Sequence, residues 1–373
     1  MSDVISFYNN IRRTFTVLLV HKETSFDFIS ISMRHISYIN GLKGIAALLV
    51  LVSHMAFCFN PAGPLIHLWN HSCINIMNSD FAVHIFIMIS AYLAYVGFEK
   101  GKPIDDLLLK RYFRLSLPVA CILVIMGVLK ALGLFYCDIE DLPLSTDWLI
   151  GESRNYSDLP KVILMSPFGM YYGWMNPLWM MKYVFFAPFI VYLLNSALMQ
   201  VHSIGKVLLL VLTGLLFIRY DYYFVDIILG YIFAGYGDLS LTKSKTMKNT
   251  ICIVSLFALL ALEFADFFYV NICRGIMVLL LCANSTFFQL LIGCKLLNWI
   301  GHISMGIYIV HVPVLCTVGS FLLLPMNNYS FLFTELATFI CTMIMAALYT
   351  NYIERYSTKL INWGLVIIKG NNK

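Results

Sequence analysis

The chain alternates long apolar stretches with short polar breaks. Runs near 42–60, 81–98, 115–135, 183–199, 204–218, 221–237, 249–265, 274–292, 303–324 and 331–353 contain few charges. A bilayer core is crossed by roughly 20 apolar residues in a helix, with about 17–25 the usual range. The pattern therefore predicts ten membrane helices. Strands do not fit, because an open strand in hydrocarbon leaves its backbone groups unpaired, and barrel strands alternate in polarity. The expected fold is all-α: a polytopic membrane helical bundle.

The polar breaks give that bundle a direction. Arg12, Arg13, Lys22 and Arg34 precede the first run, and Lys100, Lys102, Lys110, Arg111 and Arg114 separate the second from the third. Lys206, Lys243, Lys245, Lys248, Lys295, Arg355 and Lys359 fall on the same side. The other side receives Lys130, Arg154, Lys161, Lys182, Arg219 and Arg274, and its long break 136–177 carries Asp138, Glu140, Asp141, Asp147, Glu152 and Asp158. Lysine and arginine are retained on the cytoplasmic face, so both termini are expected there. Residues 34–360 then form one membrane domain and 361–373 a cytoplasmic tail. The run Thr14–Val20 is too short to span and lacks a cleavage pattern. Residues 1–33 are accordingly an interfacial tail or sequence upstream of a start at Met33, and the second reading is favoured.

Composition agrees with this reading. Hydrophobic residues make up 60% of the chain and charged ones 12%, with mean hydropathy +0.80. A soluble domain has about 45–50% apolar and about 25% charged residues. The net charge of +5 is dispersed among acids over short loops, which argues against a nucleic-acid partner. Cys121, Cys252, Cys282, Cys316 and Cys341 lie in apolar runs, where a thiol acts as a small hydrophobe. Cys58, Cys73 and Cys137 fall near outer loops, where a bridge is open to them. His67, His71 and Cys73 have a chelating spacing, but so short a motif carries little weight. No metal is expected.

An ionisable residue inside a span marks a candidate site. Lys43 and His54, eleven residues apart, share a face of the first helix about 16 Å apart along its axis. His54 suits a general base, or it is a histidine bonded to a neighbouring helix. His84 and Ser90 lie on different faces of the second helix; His84 either orients His54 or makes a packed polar contact. Arg111 and Arg114, with Lys110, are spaced to grip phosphate at the mouth of the third helix, or they are positive-inside anchors. Trp179 and Lys182 open the fourth helix, and Ser304, Tyr308 and His311 share a face of the ninth, which should look into the bundle.

Three stretches together resemble the acyltransferase-3 family of membrane O-acyltransferases. They are YINGLKGIAALLVLVSH at 38–54, KRYFRLSLP at 110–118, and LNWIGHISMGIYIVHVPVL at 297–315 followed by IERYSTKL at 353–360. The likeness covers roughly 36–360. Lys43 replaces an arginine common in the family, His84 an acid, Ala91 a glycine and Val184 a glutamate. The resemblance implies acyl transfer, with acetyl-CoA or another acyl-CoA as donor substrate and no permanently bound cofactor. The acceptor would be a glycan or lipid-linked saccharide hydroxyl, and the setting a bacterial inner membrane. His54 would act as base or covalent acyl carrier, with Lys43, Ser90 and His84 assisting. Lys110, Arg111 and Arg114 would hold donor phosphates, and Trp179, Lys182, Tyr308 and His311 would meet substrate. The rivals are a proton-coupled transporter and a non-catalytic partner in polysaccharide assembly. No oligomeric state follows from these residues.

Overall fold

The structure is a computed structural model that describes the backbone of residues 24–59, 79–99, 104–138, 154–170, 173–198, 201, 203–237, 245–265, 269–324, 327 and 329–370. The His67, His71 and Cys73 group, Lys22, Lys100, Lys102, Lys243 and most acids of the long break lie outside these residues. The described part is helical and contains no strand. In chain order the helices are α1 (Thr24–Cys58), α2 (Ser79–Glu99), α3 (Ile104–Ala131), α4 (Leu159–Met165), α5 (Met181–Leu198), α6 (Ser203–Tyr220) and α7 (Val225–Ile232). They continue with α8 (Lys245–Glu263), α9 (Val270–Asn284), α10 (Thr286–Ile292), α11 (Lys295–His302), α12 (Ser304–Val314), α13 (Phe331–Tyr349) and α14 (Arg355–Gly370).

Seven helical segments among the described residues are long and apolar enough to cross a membrane: Ser37–Cys58, Ser79–Gly97, Leu108–Ala131, Asn176–Leu198, Lys245–Glu263, Ser304–Leu322 and Phe331–Gly364. An eighth is obtained if the pair α9 and α10, bent by 104°, counts as one. The ten apolar runs are therefore present as helices, but three of them differ from simple spans. The run 274–292 breaks at Ser285, whose hydroxyl accepts from Phe288 N (3.4 Å) and starts a new helix. The run 221–237 yields the short helix Tyr222–Gly235, about 21 Å long against a core of about 30 Å. Asp221 begins it by accepting from Tyr223 N at 3.3 Å. The run 204–218 becomes α6, whose 18 residues reach about 27 Å. A capping side chain satisfies the first amides of a new helix, and it can divide an apolar run that hydropathy alone leaves whole.

Two buried clusters hold the bundle together. The larger draws on α1, α2, α3, α5, α12 and α13; the smaller joins α1 to α2, α9 and α10. α1 lies in both. Gly41 and Gly44 are helical within it and bring no side chain to the crossing. A Cβ on Gly44 would lie 2.6 Å from the Leu297 carbonyl oxygen, one on Gly301 would overlap that of Asn40, and one on Gly41 that of Ile292. α1, α10 and α11 thus meet backbone to backbone, as small residues allow in membrane helices. Gly230 plays the same part between α7 and the Met88 carbonyl of α2.

α8 is mostly exposed, and in a bilayer that exposed surface faces lipid. The final segment Phe331–Gly364 is 34 residues long. It passes through a π-helical turn at Thr350–Glu354 and runs on into α14, which takes up most of the segment expected as a tail.

Gly301→Val should overpack the crossing and cost about 1–3 kcal/mol or more. Gly97→Ala, with nothing within 4 Å of the new methyl, should be neutral or slightly stabilising. Thermal melting of the two variants in detergent checks this; equal midpoints would contradict the seam.

Candidate active site

His54 and His311 are brought together by the glycine seam. α1 carries His54, and α11 leads into α12, which carries His311. His54 Nδ1 and His311 Nε2 are 2.8 Å apart, with ring centroids 5.0 Å apart and planes inclined by 26°. His311 Nδ1 faces the Ile307 carbonyl at 3.0 Å. A carbonyl only accepts, so that nitrogen carries the hydrogen and His311 Nε2 carries the lone pair. His54 Nδ1 must then be the donor between the rings, which leaves the lone pair of His54 on Nε2. This is the tautomer that a general base needs.

His54 lines a cavity of about 180 Å³ together with Val50, Ser79, Asp80, Val83, Asn176, Pro177, Trp179, Met180 and Tyr308. Two helix starts, at Ser79 and at the 3-10 turn Asn176–Met180, end on this cavity. The Tyr308 hydroxyl donates to the Pro177 carbonyl, fixing the Asn176–Met180 turn against α12. Ser304, Tyr308 and His311 are all buried, on the interior face expected of them. Trp179 packs against Tyr183 and Tyr223.

Beside the cavity stands a polar cluster centred on His84, whose acidic partners were not among the expected site residues. His84 is 1% exposed and Asp226 0%; His84 Nδ1 meets Asp226 Oδ2 at 2.5 Å. The other ring nitrogen, Nε2, is 3.5 Å from Asp80 Oδ2. Asp80 also accepts from the Tyr223 hydroxyl (2.5 Å) and from Asn271 Nδ2 (2.7 Å). Buried Arg274 fixes that amide by donating to Asn271 Oδ1 at 2.9 Å and to the Leu262 carbonyl at 2.7 Å. Arg274, expected at an outer break, is instead a strut inside α9. His84 turns to two carboxylates rather than to His54. The sequence did carry a signal: Asp80 and His84 have the i, i+4 spacing of a helical pair, and Asp226 is a charge inside an apolar run.

The remaining predicted residues lie elsewhere. Arg111 is turned into the bundle: its Nε and an Nη both donate to the Val184 carbonyl (3.2 and 2.8 Å), and that Nη also reaches Ser90 Oγ (3.0 Å). It ties α3 to α2 and α5, at the position where a glutamate was missed in the resemblance. Ser90 is engaged there and does not line the cavity. Arg114 is exposed and 3.9 Å from Glu354, so the two arginines do not form one fork. Lys110 is exposed. Lys43 is half-buried near Arg114 and Glu354, towards the opposite end of α1 from His54. Lys182 pairs with Asp221 at 2.8 Å and is not among the cavity's lining residues. Cys58 and Cys137 are both buried. Cys137 and Cys316 flank the Arg154 guanidinium at 3.6 and 3.7 Å. Among the described residues no group of three histidine, cysteine or acidic side chains is placed to hold a metal.

The model of one protein family, described as an acyltransferase domain, matches residues 36–350. The chain belongs to the acyltransferase-3 family and is an integral membrane acyltransferase. No curated protein and no solved structure matches it.

Removing one partner of a buried ion pair leaves the other charge uncompensated, at a cost of about 3–5 kcal/mol. Asp226→Ala should therefore lower thermal stability in detergent far more than Asp158→Ala, whose pair with Lys161 is exposed. Similar losses in both variants would count against the buried His84–Asp226 pair.

Proposed function

We propose that this enzyme moves an acetyl group from acetyl-CoA to a hydroxyl of a cell-surface or lipid-linked glycan, with His54 as general base. The observation that carries the reading is the histidine pair at the cavity wall, which leaves a basic nitrogen on His54. In the reaction His54 Nε2 takes the acceptor's proton as its oxygen attacks the thioester carbonyl. The C–S bond then breaks, and the departing thiolate recovers the proton from His54. His311 steadies the imidazolium through the shared hydrogen. Asn176, which lines the cavity, would donate to the tetrahedral oxyanion.

The donor's phosphates are assigned to exposed Lys110 and Arg114, with Lys43 behind them. Arg111 serves this doorway as the strut that holds α3 against α2 and α5. The acyl arm would run along α1 from Lys43 towards His54, a rise of about 16 Å. The distribution of lysine and arginine over the loops supports a ten-helix topology with both termini cytoplasmic. The implied setting is O-acetylation of polysaccharide in a bacterial cell envelope, at the inner membrane.

His54→Ala should abolish label transfer from radiolabelled acetyl-CoA by the purified protein. His311→Gln should lower kcat by about 10²-fold or less with the KM for acetyl-CoA little changed. Full activity in His54→Ala would remove the proposed base. Lys110→Ala with Arg114→Ala should raise the KM for acetyl-CoA by about tenfold or more, since charge-assisted contacts contribute about 1.5–3 kcal/mol. An unmoved KM would discard the doorway.

A further inference from the structure

The cavity has an unequal wall. On one side stands His54; on another stands Asp80, 38% exposed by side chain and among the lining residues. Three donors converge on this carboxylate from three elements. They are the Tyr223 hydroxyl, Asn271 Nδ2 and, more loosely, His84 Nε2. Each donor is itself held. Arg274 orients the Asn271 amide, His84 is locked to Asp226, and Tyr223 stacks on His84 with centroids 5.0 Å apart. So much support around one carboxylate preorganises it as an acceptor facing the cavity. A carboxylate has about four lone-pair directions, so three donors leave capacity for one more hydrogen.

The cavity's size limits what supplies that hydrogen. An enclosed site of about 150 Å³ accommodates a single six-membered ring, so this half-open cavity of about 180 Å³ has room for one. Trp179 gives it an aromatic surface, and Asn176 a further polar group. A base on one wall and an acceptor on another suit a ring with neighbouring hydroxyls, one activated by His54 and the other donating to Asp80. A ring bearing its own carboxylate or phosphate would meet a like charge at close range, a repulsion that grows as the ring displaces water from the cavity.

We propose that Asp80 is a specificity-determining catalytic-site residue that binds a hydroxyl adjacent to the one acylated, so that the acceptor ring is a polyol without anionic groups. This rests on the acyl-transfer reading above and adds to it the chemical class of the acceptor ring. His84, Asp226, Asn271 and Arg274 are its positioning residues.

The test uses the full chain in detergent with radiolabelled acetyl-CoA and two probes, a methyl hexopyranoside and the matching methyl hexopyranosiduronate. Wild-type protein should label the neutral ring at least about tenfold more efficiently than the uronate, the scale of one charge-assisted contact. This comparison needs no variant to fold. Asp80→Asn, checked by gel filtration, should raise the KM for the neutral ring by about tenfold or more and narrow the gap between the probes. Equal labelling of the two probes by wild type would overturn the proposal, as would an unchanged acceptor KM in Asp80→Asn. Label lost to water with neither ring accepting it would also overturn it while leaving the acyltransferase reading intact. Donor that stays intact under every condition would count against that reading as well.

Discussion

Two imidazoles can share one hydrogen only if the helices carrying them approach closely. The site depends on that approach. Gly41, Gly44 and Gly301 remove the side chains that would hold α1 away from α10 and α11, and α12 follows α11 directly. The 2.8 Å contact between His54 and His311 is the downstream result of a seam built some ten residues away on each helix. In a bilayer lipid tails are as apolar as leucine, so close backbone packing must supply association that burial supplies in water. Gly41 and Gly44 therefore serve the site through packing, at a distance from its chemistry.

Around this seam the bundle separates two charged regions. Near the middle of α1 lie Lys43, Arg114 and Glu354, partly open to the surroundings. Further along lie His54 and the Asp80 cluster. Arg111 spends its donors on Val184 and Ser90. Such an arrangement meets the demand that polar groups in hydrocarbon find partners inside the protein, and it gives the cavity stiff walls.

Much of this was legible in the sequence. Apolar run length identified the helices, and the i, i+4, i+7 spacing of Ser304, Tyr308 and His311 identified an inward face. His54 was visible as an ionisable residue on a span. The partners were not visible, because pairing across helices is set by tertiary approach. Nothing local says that His311 meets His54, or that an aspartate 142 positions away meets His84. Helix breaks at Asp221 and Ser285 were hidden for the opposite reason: one capping side chain outweighs many apolar neighbours, and a hydropathy window averages it away. Arg111 and Arg114 show the limit of spacing arguments. Three residues apart they are neighbours on a helix surface, yet one turns into the bundle and the other out.

The last helical segment, Phe331–Gly364, is about 51 Å long, well beyond the thickness of hydrocarbon. Its surplus has to emerge among head groups, where exposed Tyr352, Tyr356 and Trp363 favour the boundary between oil and water. Aromatic rings at that level act as a float line. They resist vertical drift of the whole bundle, so the final helix adds to what fixes the depth at which the enzyme rides, and membrane thickness becomes a variable to which its stability answers.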